Sequence, residues 1–164
     1  MSNIYLCGFM AAGKTTSGEI LSDKLNYSFI DLDKRIIENE NKLIIDIFNE
    51  YGEEYFRKLE NKYLKDIVKL DNYVIALGGG TVLDKENVNM IKENNGIIIF
   101  LDTDIDIILK RIENDNKRPL IKSQNKEEKI KLYNSRYKTY KEISDFTTGN
   151  QNIDDILNFI RSKK

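Results

Sequence analysis

Near its start the chain sets CGFMAAGKTT between a short apolar run, NIYLC, and KTTSGEILSDKL, whose Ile20, Leu21 and Leu25 can share one helical face. Gly8, Gly13, Lys14 and Thr15 satisfy G-x-x-x-x-G-K-[ST] in the strand, loop, helix order that the pattern requires. Glycines allow a tight turn that points successive N–H groups into one concavity, and the helix behind it adds its positive N-terminal end. Polyphosphate is the natural guest of such a cradle, so ATP or GTP is expected here. Lys14 is expected to neutralise the β and γ phosphates, and the Thr15 hydroxyl to serve Mg²⁺, which prefers hard oxygen ligands.

The rest of the chain continues this alternation. YSFIDLD reads as a second strand, YVIAL before GGG as a third, IIIFL as a fourth and DFTT as a last. The helical stretches are KRIIENE, IIDIFNEYGEEYFRKLENKYLKDIVKL with an interruption at Gly52, KENVNMIKENN, DIDIILKRIE, KEEKIKLYNSRYKTYKEI and IDDILNFIRS. Strands that are apolar throughout belong in a parallel sheet covered on both faces. The expectation is an α/β fold of three layers, α/β/α, around a five-stranded parallel sheet, in one domain over residues 1–164. One stretch departs from the pattern: NDNKRPLIKSQNKEE is polar, contains the only proline, Pro119, and reads as an exposed, mobile loop.

Composition narrows the chemistry. With 26 basic residues against 27 acidic ones, nothing draws nucleic acid or an anionic membrane as a general partner, so an anion must be met by a local site. The apolar runs are too short to cross a bilayer and the N-terminus lacks a basic-then-apolar signal, which leads to the expectation of a cytoplasmic protein. One cysteine and no histidine exclude an internal disulfide, a zinc site and a serine-histidine triad. Carboxylates, lysine, arginine, hydroxyls and backbone remain. Cys7, inside an apolar strand, is expected to be buried and inert.

A cradle identifies a nucleotide but not an acceptor, because switches, motors and small-molecule kinases all use one. Asp31 and Asp33 are two apart at the end of an apolar strand, a spacing that puts both on one face near the sheet edge. Bound Mg²⁺ could relieve one carboxylate and leave the other to take a hydroxyl proton, although the same acids could simply begin the next helix. In FRKLE, Arg57 and Glu60 are helical neighbours at i, i+3, a spacing that also suits an ordinary surface ion pair. Gly78, Gly79 and Gly80 follow the third strand, where a turn would expose N–H groups to a ligand or merely be flexible.

Taken in order, GFMAAGKTT, DLD, FRKLE, GGG, KRPL and SRYKTY resemble the signature of the shikimate kinase family, over nearly the whole chain. The resemblance implies a P-loop fold like that of nucleoside monophosphate kinases, with a lid at about 112–125 and an acceptor-binding helical segment at about 33–61. It implies that Gly8, Ala11, Ala12, Gly13, Lys14, Thr15 and Thr16 hold ATP, with Arg111 packing against adenine. It assigns Thr15 and Asp31 to the Mg²⁺ shell, Asp33 to a shikimate hydroxyl as base, and Arg57, Arg136, Gly79 and Gly80 to the substrate. Arg57 and Arg136 would grip the carboxylate, since a guanidinium fork matches a planar carboxylate in a way lysine does not. Glu60 would orient Arg57. Arg118, in the lid, would close over the nucleotide, joining its binding set, and meet the transferring phosphoryl group, so Lys14, Asp33 and Arg118 form the expected catalytic set. Ala11 stands where many members have glycine, and Thr15 where serine is common. No role is assigned to Asn150 in TTGNQN.

The implied reaction moves the γ-phosphoryl group of ATP to the 3-hydroxyl of shikimate, in the pathway to chorismate and the aromatic amino acids, by a chain working as a monomer. The rivals are another small-molecule kinase of this fold, such as a gluconate or nucleoside monophosphate kinase, and a nucleotide-binding module without an acceptor. Tyr133, Tyr137 and Tyr140, spaced by four and three, are expected to form the packing face of the helix that carries Arg136.

Overall fold

The computed structural model describes residues 2–115 and 125–163. In chain order these form β1 (Ile4–Cys7), α1 (Lys14–Leu25), β2 (Ser28–Asp31), α2 (Leu32–Glu40), α3 (Ile44–Ile67), β3 (Tyr73–Ala76), a 3₁₀ turn (Thr81–Leu83), α4 (Lys85–Glu93), β4 (Ile97–Asp102), α5 (Ile105–Asn114), α6 (Lys126–Ile143), β5 (Phe146–Gly149) and α7 (Ile153–Ser162). The five strands form one parallel sheet in the order β2-β3-β1-β4-β5.

Both faces of the sheet are buried, as the uninterrupted apolar strands require. Successive strand residues point to opposite sides. Tyr5 and Cys7 of β1 with Ile98 and Phe100 of β4 enter a core closed by Ile36, Ile47, Leu59, Leu64, Ile91, Ile108 and Tyr140, drawn from α2 through α6. Ile4, Leu6, Ile99 and Leu101 enter the opposite core, closed by Leu21 of α1 and by Ile156, Leu157 and Ile160 of α7.

Register then decides where function can gather. Leu6 lies level with Ala76 and with Ile99, and Ala76 lies level with Asp31. The segments that leave β1, β2 and β3 therefore emerge side by side at the carboxyl edge, where ligands of open α/β sheets bind. These segments are the glycine loop, the start of α2 and the triple-glycine turn.

Two expectations change at the boundaries. Asp33 does not lie on a strand: β2 stops at Asp31, whose carboxylate caps α2 by accepting the Lys34 N–H at 3.1 Å, and Asp33 is the second residue of that helix. Strand alternation is thus not what brings the two acids to the site. The polar stretch also begins later than expected, because α5 runs to Asn114 with Ile112 buried, and Asn125 with Glu128 makes the capping box of α6. Arg118 and Pro119 lie outside the described residues. The expected interruption of the long helix is present at Gly52, whose φ of 84° and ψ of 171° break α3 into two arms.

Candidate active site

The cradle starts one residue beyond β1. Side chains cap α2, α4, α5, α6 and α7, whereas α3 and α1 have none; at α1 the N-cap is Gly13, so the first N–H groups behind the glycine loop are left for another acceptor. Gly13 has φ of 94°, and a Cβ there would run into the Gln151 side chain, so only glycine suits the position. Ala11 also has positive φ, 58°, although it carries a Cβ. The loop is tied down by the Ala12 N–H on the Phe9 carbonyl at 3.1 Å and by the Thr103 hydroxyl on the Ala12 carbonyl at 2.8 Å. Lys14 Nζ donates to the Gly8 and Phe9 carbonyls at 2.7 and 2.9 Å, which holds its charge over the loop. Thr16 is exposed on the first turn of α1.

Between cradle and β2, the Thr15 hydroxyl donates to Asp31 Oδ2 at 2.6 Å. A hydroxyl and a carboxylate side by side are hard oxygen donors. They suit a small divalent cation whose remaining ligands are phosphate and water. No group of three or more Asp, Glu, Cys or His side chains that could hold a metal ion on its own occurs among the described residues.

The next layer is an arginine held by a buried acid. Glu60, with no solvent exposure, accepts Arg57 Nη1 at 2.7 Å and the Thr81 hydroxyl at 2.8 Å. Glu53 accepts the other side of the Arg57 fork at 3.1 Å. Burial pushes the Glu60 carboxyl above its usual range; Arg57 and Thr81 pull it back, and Asp33 adds to the upward push. Burial acts against the Arg57 charge, but Glu60 and Glu53 together hold its pKa above the ordinary value. The FRKLE pair is thus a half-buried arginine on a fully buried carboxylate, and not a surface ion pair.

The triple-glycine turn packs into this pair. A Cβ on Gly80 would lie 2.4–2.6 Å from three atoms of the Arg57 guanidinium, and one on Gly78 would lie 2.8 Å from Glu60 Oε1 and 3.0 Å from Asp33 Oδ1. Asp33 therefore reaches the site from the first turn of α2. The turn is anchored by buried Asn87, which donates to the Thr81 carbonyl at 2.9 Å and accepts from Asn61 at 3.0 Å. Arg136 enters from α6, its guanidinium 6.0 Å from the Phe9 ring centroid and near Gly79.

The tyrosines of α6 do form a packing face. Tyr133 meets Phe9 edge-on, Tyr137 bonds Asp102 at 2.7 Å, and Tyr140 is 1% exposed. Cys7 is buried and its thiol is pushed up to about 12, mainly by desolvation, which leaves it inert.

At the outer edge of the cradle, Arg111 donates to the Ala11 carbonyl at 3.0 Å and to Gln151 Oε1 at 3.3 Å. Gln151 in turn donates to the Ala12 carbonyl. Gln151 is the residue that sequence reasoning missed. The signal was slight: a GNQN turn after the last strand, in which Asn150 and Gln151 both adopt positive φ.

A family model described as shikimate kinase matches residues 10–161. A shikimate kinase of Sulfurihydrogenibium sp. is 41% identical over 99% of this chain and 100% of its own length. One from Staphylococcus epidermidis is 42% identical over 98% of this chain and 94% of its own. The structure of shikimate kinase from Acinetobacter baumannii in complex with shikimate superposes with a TM-score of 0.90 at 33% identity, covering 100% and 95% of the two chains. A gluconokinase from Sinorhizobium meliloti, at TM-score 0.58 and 16% identity, shares the fold alone. Cradle, helix-borne arginine, glycine turn and α6 arginine thus occur in the order of one family's signature, and the chain belongs to the shikimate kinase family.

Proposed function

We propose that this chain transfers the γ-phosphoryl group of ATP to the 3-hydroxyl of shikimate, with Arg57 and Arg136 gripping the shikimate carboxylate. The observation that carries this reading is the Arg57–Glu60 pair beneath the glycine turn, with Arg136 on the other side of that turn. Two guanidinium groups around a backbone turn are suited to a planar carboxylate. Asp33, beside Gly78, is placed to accept the proton of the attacking hydroxyl. The new bond joins that oxygen to the γ phosphorus as the bond to the β–γ bridging oxygen breaks, and ADP leaves.

Lys14 stabilises phosphate charge by exchanging its bonds to the loop carbonyls for bonds to phosphate. Gly8, Ala11, Ala12, Gly13, Thr15 and Thr16 line the phosphates, and Arg111 packs against the base. Mg²⁺, held through Thr15 and Asp31, would supply charge neutralisation at the phosphates. Arg118 is assigned to the nucleotide and the transferring group from the lid at about 112–125, and the segment at about 33–61 forms the acceptor side. The working unit is taken to be a monomer. No described helix is long and apolar enough to cross a membrane, and a lone reduced cysteine suits the cytoplasm.

The test is ADP release by purified protein with Mg·ATP and shikimate, gluconate, nucleoside monophosphates or no acceptor. Turnover with shikimate alone is expected. Turnover that prefers another acceptor would transfer the arginine roles to that molecule, and equal release without any acceptor would overturn the reading.

A further inference from the structure

We propose that Tyr140 is a positioning residue of the acceptor site, its hydroxyl fixing the Gly79–Gly80 peptide so that the Gly80 N–H and Arg136 together face the acceptor carboxylate. This rests on the carboxylate-clamp reading given above.

Arg136 and Tyr140 are i and i+4 on α6 and so share one face. The Tyr140 ring is held by Phe100, with centroids 5.3 Å apart, and its hydroxyl donates to the Gly79 carbonyl at 2.5 Å. The described peptides are all trans, so the Gly79 C=O and the Gly80 N–H leave opposite edges of one plane. Fixing the carbonyl on Tyr140 aims the N–H away from it.

That N–H is used by neither of the turn's own bonds, which run from Thr81 N–H to the Gly78 carbonyl and from Leu83 N–H to the Gly80 carbonyl. A Gly-Gly peptide has little conformational preference of its own, so its plane needs an external fixture. Burial pushes the Tyr140 phenol up to about 12, against the pull of nearby Arg136, and the hydroxyl remains a donor throughout the physiological range. A donor fixed before the anion arrives needs no reorganisation when it binds.

The test is Tyr140→Phe, which keeps the ring and removes the donor. The KM for shikimate is expected to rise about tenfold, the size of one lost bond to a charged group, while kcat and the KM for ATP stay within about twofold. p-Aminophenylalanine at position 140 restores a donor and should return the shikimate KM to within about threefold of the starting value. A shikimate analogue with hydroxymethyl in place of carboxylate should not distinguish Tyr140→Phe from the parent.

Arg136→Lys is the control for the clamp itself. If it raises the shikimate KM while Tyr140→Phe does not, the clamp stands and the role of Tyr140 is overturned. If Tyr140→Phe raises both KM values together, or fails to fold, the hydroxyl is structural and the proposal falls. An unchanged shikimate KM in Arg136→Lys would remove the clamp reading, and the Tyr140 role with it.

Discussion

Arg57 Nη1 lies 2.7 Å from a Glu60 oxygen, and Glu60 has no solvent exposure while Arg57 is only half-buried. The acid is thus the fixed partner and the base the one that can reach outward. Burial raises the Glu60 pKa above 4.5, so at low pH both folded and unfolded chains carry its proton, and at intermediate pH only the folded chain does. Its contribution to stability is therefore full below about 4.5 and is lost as pH rises through the folded value. Glu60→Gln cannot titrate. The unfolding free energy of the parent minus that of the variant should shrink from pH 4 to pH 7 in urea titrations; a difference that grows with pH would mean the pKa is lowered instead.

Two glycines of the turn make a contrasting pair. A Cβ on Gly80 would overlap the Arg57 guanidinium at 2.4 Å, whereas one on Gly79 would come no closer than 3.4 Å, to Arg136. The overlapped group is the far end of a flexible side chain and can swing aside. Gly80→Ala should therefore fold normally and raise the shikimate KM by about tenfold or more, with Gly79→Ala affecting it less. Equal effects in steady-state kinetics would show that displacement of Arg57 is not the cause.

Ala11 holds a left-handed φ of 58° that glycine would adopt freely. Ala11→Gly relieves about 1 kcal/mol of strain, partly offset by the greater freedom of glycine in the unfolded chain. A rise of about 1–3 °C in Tm is expected by scanning calorimetry, with the KM for ATP within about twofold. A lower Tm would show that the Ala11 methyl contributes packing worth more than the strain.

Arg118→Ala should lower kcat by at least about 100-fold and change the shikimate Kd less than about threefold, since a group that closes over the nucleotide and meets the transferring phosphoryl acts mainly in the transition state and not on the acceptor. Single-turnover kinetics with calorimetric binding would separate the two effects. An unchanged kcat would remove Arg118 from the mechanism.

The elements were legible where a local pattern decided them. KTTSGEILSDKL, KEEKIKLYNSRYKTYKEI and IDDILNFIRS form helices with those bounds because loop glycine and asparagine caps mark their starts. FIDLD misled because alternation and a helix start are both compatible with it; the Asp31 side chain settles the matter by taking the Lys34 N–H. Glu60 could not be distinguished from a surface acid by its spacing, since its burial comes from α3 packing beneath the glycine turn. Gln151 was invisible for a related reason: its partner, Ala12, is 139 residues away.

The triple-glycine turn also touches the cradle. A Cβ on Gly79 would stand 3.4 Å from Arg136 on one side and 3.7 and 3.8 Å from the Met10 nitrogen and Gly8 oxygen on the other. On the glycine side, the space between phosphate loop and Arg136 is thus bounded by main chain, with no Gly79 side chain to fill it. The turn sets a floor on how close the two ends of an acceptor can sit. A molecule whose acid and hydroxyl are separated by a different distance can be gripped by its acid and still hold its hydroxyl out of reach of the donor. Acceptor choice at this site becomes a question of reach as well as of affinity.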